Sequence, residues 1–409
     1  MAIITRVSTQ DARYDLAPGA GTDAVHREIQ YAYAVTRLET DAGVVGCGLS
    51  FTLGDGTDLV CGAAELLAAT LVGRDTDELR ANFGAVQRGL AEHSRLRWLG
   101  PHKGVIHLAL ASITNACFDL WAKLAEVPLW RFLLDLSPCE VVALLDLSYL
   151  EEVLTPAEAI TLLTEHHATR SDREDVLRSG YPGYDTSVGW FEYSDETIRD
   201  NARRAVDQGF TAIKLKVGSA DSARDVRRVS LVRETVGDDV RIMLDANQAW
   251  PLPTALRVCD ELQPSRPFWI EEPTQPDDVL AHKRLAEAIA PTPVAIGEAV
   301  SNRVLWKNFL EAGAVGIVQA DCTRLAGVSE YLAVALLARK YPVRVVPHVG
   351  DMGQIHQHLV LFQHVALAHE KLFLEYIPHL RAHFRHPARV EEARYVPPEV
   401  PGASCDLVG

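Results

Sequence analysis

Two rhythms of apolar and polar positions divide the chain. In the first part, Gln30–Glu39 alternates and is rich in β-branched and aromatic residues, and Gly43–Phe51 is rich in Gly and Val. Both stretches predict strands of a meander within residues 1–60. Residues 60–92 and 103–135 then predict helices. Gly104–Ala125 is rich in Ala and Leu, and its polar members His107, Asn115, Asp119 and Lys123 fall mainly on one side. Strands followed by helices make residues 1–140 an α+β domain.

From Gly183 onward the rhythm changes. Short apolar runs (Ala212–Val217, Arg241–Asp245, Phe268–Glu271, Val294–Gly297, Gly316–Gln319, Val343–Pro347 and Leu372–Tyr376) alternate with helical stretches. That alternation predicts parallel βαβ units. Seven or eight such units in about 200 residues fit a closed (β/α)8-type barrel better than an open sheet. The expected fold class is therefore α/β, with the barrel over 141–382. The tail 383–409, with Pro397-Pro398 and Pro401-Gly402, is expected to return to the first domain.

Each apolar run ends at or beside a polar residue: Lys216, Asp245, Glu271, Glu298, Asp321, His348 and Glu375, at spacings of 29, 26, 27, 23, 27 and 27. One βα unit takes about that length, so the ladder places one such group at the C-terminal end of each strand, where barrel active sites lie. A further step of 29 back reaches Ser187, in a first strand Tyr184–Ser187. A single polar strand end is ordinary turn chemistry. Seven in phase converge on the barrel mouth, where unpaired ionisable groups are costly without a use.

The ladder groups suggest a chemistry. Asp245, Glu271 and Glu298 form a hard-oxygen cluster that repels itself unless a cation neutralises it, and all-oxygen ligation suits Mg²⁺. No Cys or His accompanies them at ligand spacing, which disfavours zinc. Lys214 and Lys216, at i and i+2, share a strand face. Their mutual repulsion predicts that one is neutral near pH 7 and serves as a base. Asp321 and His348 on adjacent strands suggest a carboxylate–imidazole pair. Lys216 and His348 then flank the metal strands, as needed to remove a proton beside a metal-bound carboxylate. Glu375 is expected to donate to the same oxygens once burial raises its pKa.

Composition narrows the class. With 409 residues, 48% of them hydrophobic, the chain can build a large core and two domains. A net charge of −15 excludes a phosphate-tracking nucleic-acid binder but not an anionic substrate. Seven irregularly spaced cysteines without a C-x-x-C pair read as free, mostly buried thiols of a cytosolic protein. Neither a signal-peptide h-region nor an apolar run of about 18 residues is evident, so no membrane association is expected.

The motifs Lys214-x-Lys216, Asp245-Ala-Asn247-Gln248, Trp269-Ile-Glu271-Glu272-Pro273, Gly297-Glu298, Asp321, Pro347-His348 and Leu374-Glu375-Tyr376 resemble the mandelate racemase group of the enolase superfamily. Arg95-Leu-Arg97-Trp98-Leu-Gly-Pro101-x-Lys103-Gly104, Gly180-Tyr-Pro182-x-Tyr184, Gly189-Trp190 and Pro397-Pro398-Glu399-Val-Pro-Gly402 extend the resemblance, towards the L-fuconate dehydratases, over nearly the whole chain.

The resemblance implies a capping domain whose loops close over the barrel mouth. It implies Mg²⁺ on Asp245, Glu271 and Glu298, with the ligand at the first residue of Glu271-Glu272. Lys216 would take the C2 proton with Lys214 tuning it, and the Asp321–His348 dyad would help the 3-hydroxyl leave. Asn247, Trp98, Lys103 and Asp351 are the candidate substrate contacts. The implied enzyme is a carbon–oxygen hydro-lyase acting on a small-molecule sugar acid, and a homo-oligomer is expected, since symmetric oligomers are common in the superfamily. The same residues serve 1,1-proton transfer, so a racemase or epimerase is one alternative and a non-catalytic metal-binding relative another. A cycloisomerase would want a lysine where this chain has Asp321.

The chain departs from the pattern in three places. Where the family reads Ala-Gly-Gly-x-Gly-x-x-Glu after the histidine, this chain reads Val349-Gly-Asp351-Met-Gly353-Gln354-Ile355-His356. Ala299 replaces a His or Gln after Glu298, and the family's last capping segment is missing. The first capping loop has its counterpart at Gly21-Thr22-Asp23.

Overall fold

The computed structural model describes residues 2–100 and 102–408. Strands β1 (Ile4–Asp15), β2 (Gln30–Thr40) and β3 (Val45–Thr52) form an antiparallel sheet in that order. The helix Gly104–Leu124 packs on this sheet, and the glycines of β3 let it approach. A Cβ on Gly48 would sit 2.0 Å from the Ser112 carbonyl oxygen, and one on Gly46 2.4 Å from that of Ala116.

This 21-residue helix is long and apolar enough to cross a membrane by composition, contrary to the sequence expectation, but 89% of its most apolar window is buried inside the protein. It is a core helix. The helical stretch expected over 60–92 is three helices, Thr57–Ala68, Thr76–Ala81 and Phe83–Ala91. The first break holds Gly73 at φ 83°, and Asp75 caps the next helix by accepting from the Asp77 and Glu78 amides.

Eight parallel strands build the second sheet: β4 (Tyr181–Gly189), β5 (Ala212–Lys216), β6 (Arg241–Asp245), β7 (Trp269–Glu271), β8 (Val294–Ile296), β9 (Ile317–Val318), β10 (Arg344–Val345) and β11 (Leu374–Tyr376). They pair in sequence from β10 back to β4, and β11 pairs with β4. One residue from each strand or its flank (Tyr184, Ala212, Met243, Trp269, Ala295, Ile317, Val346 and Phe373) joins a single buried cluster. Such a layer requires the strands to close around it, as in a (β/α)8 barrel.

The hairpin β12 (Val390–Glu391) and β13 (Arg394–Tyr395) adds antiparallel to the start of β4. The chain then runs back to the helix Gly104–Leu124. There the Ala403 amide donates to Asp119 at 2.7 Å, and the Lys123 Nζ bridges Asp119 and Asp406 at 2.7 and 2.8 Å. All seven cysteines are free, and only Cys139 is exposed.

Candidate active site

Strand parity aims the ladder groups inward. Two residues beyond Ala212, Met243, Trp269 and Phe373 in the packed layer come Lys214, Asp245, Glu271 and Glu375. The same count from Tyr184 selects Thr186, not Ser187, as the inward group of the first strand, and the Thr186 hydroxyl donates to Glu375 at 2.6 Å. Ser187 instead binds Asp185. Beyond β6 the chain is left-handed at Asn247 (φ 42°) and Gln248 (φ 66°), and beyond β7 at Glu272 (φ 43°). Asn tolerates this region, whereas Gln and Glu are held there at a cost of about 1–3 kcal/mol each. Hydrogen bonds fix the turns: the Asn247 amide donates to Asp245 (2.9 Å), and the Gln248 amide and side chain both donate to Glu272 (2.7 and 2.9 Å).

Charges alternate through the mouth. Lys214 Nζ lies 2.6 Å from Glu375, 2.9 Å from Glu271 and 3.6 Å from Asp245. Lys216 Nζ lies 2.6 Å from Asp245 and donates to Asn247 Oδ1 at 3.0 Å. Across the pocket, His348 binds Glu298 through Nε2 and Asp321 through Nδ1, both at 2.8 Å. Asn247 Nδ2 reaches Glu298 at 3.3 Å and so links the two sides.

The electrostatics correct two expectations. Burial and the neighbouring Lys214 charge lower the Lys216 pKa, but Asp245, Asp23 and Glu298 together outweigh them and the net shift is upward. Lys214 is likewise raised: burial opposes its charge, while Glu271 and Glu375 hold it. The lysine pair is therefore held protonated in this arrangement, because acids from other strands lie within hydrogen-bonding distance of each ammonium. Burial pushes Glu375 up, but the Lys214 and His348 charges and the hydrogen bonds from Lys214 and Thr186 together more than offset it and the net shift is downward. Glu375 is thus an acceptor for Lys214, Thr186 and the Val349 amide, not a donor. Burial lowers His348, yet the Glu298 charge and the Asp321 hydrogen bond raise it to about 10, the state of a proton donor.

The donor chemistry of Asp245, Glu271 and Glu298 fits a hard divalent cation. Glu271 is pushed up to about 7 by burial and then by the Asp245 charge, the repulsion such a cation relieves. Each of the three carboxylates is drawn to a cationic side chain. Among the described residues, the three ligand types lying within 4.8 Å of one another are instead Asp321, Cys322 and His356.

The pocket above these groups is small, with a cavity of about 50 Å³. Lys216, Asn247, Glu298, His348 and Glu375 line it, with Gly21, Asp23, His26, Tyr31 and Phe51 contributed by the first domain. The segment Gly21–Asp23 thus reaches the mouth. Trp98, Lys103 and Asp351 are not brought to it. Trp98 is 97% exposed, and Lys103 is paired with Asp277. Asp351 turns to the Tyr33 hydroxyl of β2, where it ties the two domains together. Side-chain exposure in loops depends on tertiary packing, which motif position does not encode. Sequence reasoning also missed Arg324, which lies 3.4 Å from Glu298 and stacks 4.7 Å from the Phe51 ring centroid. Its position three residues past Asp321 was the available signal.

The chain belongs to the mandelate racemase and muconate lactonizing enzyme group of the enolase superfamily. Residues 8–133 match the Mandelate racemase / muconate lactonizing enzyme N-terminal domain, and residues 197–408 match the Enolase C-terminal domain-like family. It is similar to human Mitochondrial enolase superfamily member 1: 39% identity covers 99% of this chain and 93% of that protein. The crystal structure of that protein superposes with a TM-score of 0.96, covering 100% of this chain and 94% of the other. L-galactonate dehydratase of Hypocrea jecorina is 39% identical, covering 99% of this chain and 92% of that protein. L-Talarate dehydratase from Polaromonas sp. JS666, solved with Mg and L-glucarate, is 25% identical with a TM-score of 0.77, covering 100% and 96% of the two chains.

Proposed function

We propose that the chain is a Mg²⁺-dependent sugar-acid dehydratase that converts an aldonate to a 2-keto-3-deoxy acid. The observation that carries this reading is the opposed pair, Lys216 held by Asp245 and Asn247 on one side and His348 held by Asp321 and Glu298 on the other. Mg²⁺ on Asp245, Glu271 and Glu298 would cancel the charges that hold the lysine protons and acidify the C–H beside a bound carboxylate. Lys216 removes the C2 proton. His348, oriented through Nδ1 by Asp321, protonates the departing 3-hydroxyl from Nε2. The C2–H and C3–O bonds break, water leaves, and the enol tautomerises to the ketone.

The substrate we propose is L-fuconate or a related aldonate. L-Fuconate is L-galactonate without its 6-hydroxyl, so the sequence resemblance and the similarity to L-galactonate dehydratase converge on one L-galacto-configured skeleton. The test is to incubate the protein and Mg²⁺ with a library of aldonic and aldaric acids and follow 2-keto-3-deoxy products as semicarbazones. Turnover of an L-galacto aldonate is expected. No turnover of any six-carbon aldonate refutes the specific reading, and α-proton exchange with D₂O without elimination would assign a racemase or epimerase instead.

A further inference from the structure

Asp321 is gripped by a second imidazole that the proposed reaction does not use. His356 Nε2 lies 2.9 Å from Asp321 Oδ1, while His348 Nδ1 lies 2.8 Å from Oδ2. Both groups are buried: Asp321 is 1% exposed and His356 5%. His348 follows β10, and His356 is in the first turn of the helix Ile355–Leu367. The chain between them therefore closes a bracket around one carboxylate, with an imidazole on each oxygen.

We propose that His356 is a positioning residue for the Asp321–His348 pair, a role that rests on the dehydratase reading above. The Thr323 amide and hydroxyl, both 2.7 Å from Oδ1, hold Asp321 only from within its own loop. His356 is the contact that ties Asp321 to the helix beyond His348, so it sets the position of the carboxylate relative to the imidazole it must orient. The Cys322 amide also points at His356 Nε2, at 3.2 Å. One ring nitrogen cannot both donate to the carboxylate and accept from the amide. The shorter contact to a buried charge decides for donation. The neighbouring Cys322 sulfur, 3.4 Å from Nε2, does not make this a metal site, because Oδ1 already accepts from three donors.

The test compares His356→Leu and His356→Asn, which cannot donate to Oδ1 at this reach, with His356→Gln, whose amide can. Using Mg²⁺-loaded enzyme and its turned-over aldonate, elimination is expected to fall roughly 10- to 100-fold in His356→Leu and His356→Asn. Lys216-dependent α-proton exchange into D₂O should change less than about twofold, and His356→Gln should recover most of the elimination rate. Parallel loss of exchange and elimination, or no loss of either, would overturn the proposal. If the wild type neither exchanges nor eliminates with any acid sugar, the dehydratase reading fails by itself. A crystal structure of the Mg²⁺-loaded His356→Asn protein then decides the positioning claim: loss of the Asp321–His348 hydrogen bond supports it, and an unmoved Asp321 refutes it.

Discussion

Replacing Lys214 with Met tests whether the buried ammonium neutralises the acids of the barrel mouth. Met keeps most of the side-chain volume and removes the charge. Lys214 is 1% exposed, with Glu375, Glu271 and Asp245 at 2.6, 2.9 and 3.6 Å. Removing one partner from a buried ion pair costs about 3–5 kcal/mol, a large part of a typical stability of about 5–15 kcal/mol. The loss should appear at pH 8 in EDTA as a lower urea midpoint. It should shrink at pH 5.5. Without the ammonium, the folded-state carboxylate pKa values rise, so the folded state takes up protons before the unfolded chain does and gains stability as pH falls. Adding Glu375→Gln removes one of the stranded charges and should return about 1 kcal/mol or more. If Lys214→Met in EDTA stays within about 0.5 kcal/mol of wild type, the ammonium is not the counter-charge described here.

Lys216→Ala should abolish both α-proton exchange and turnover, and His348→Asn should lower dehydration by about 10²–10⁴-fold, measured by NMR exchange and semicarbazone absorbance. His348, raised in the fold to about 10, contributes stability that is fully present below its unfolded pKa of about 6.5 and lost as pH rises towards 10. In EDTA, His348→Asn should therefore flatten the fall in urea midpoint across that window. Mg²⁺ should stabilise the wild type by about 2.7 kcal/mol at 100 times its dissociation constant, and Glu298→Gln should reduce that gain at the same concentration. Trp98→Ala should leave stability within about 0.5 kcal/mol and turnover unchanged, because the side chain is 97% exposed. A tenfold fall in kcat/KM would show that its loop reaches the substrate.

The ladder was legible because a barrel repeats one unit length and a strand repeats every two residues, so spacing and parity together fix which groups converge. Parity also finds Thr186, where a step of 29 residues lands on Ser187. Loop residues carry no such rule: Trp98, Lys103 and Asp351 belong to the motifs, yet packing leaves one in solvent, one on Asp277 and one on Tyr33. Protonation was the least legible property. Lys214 and Lys216 are neighbours in sequence, and repulsion between them predicts a lowered pKa. In the barrel their nearest partners are acids from other strands, at 2.6 Å in each case, and the surrounding acids together outweigh burial, the largest single effect, for both lysines. The sign of a buried shift is set by contacts across strands, so a pair of lysines becomes a base only when something else occupies the carboxylates that hold their protons.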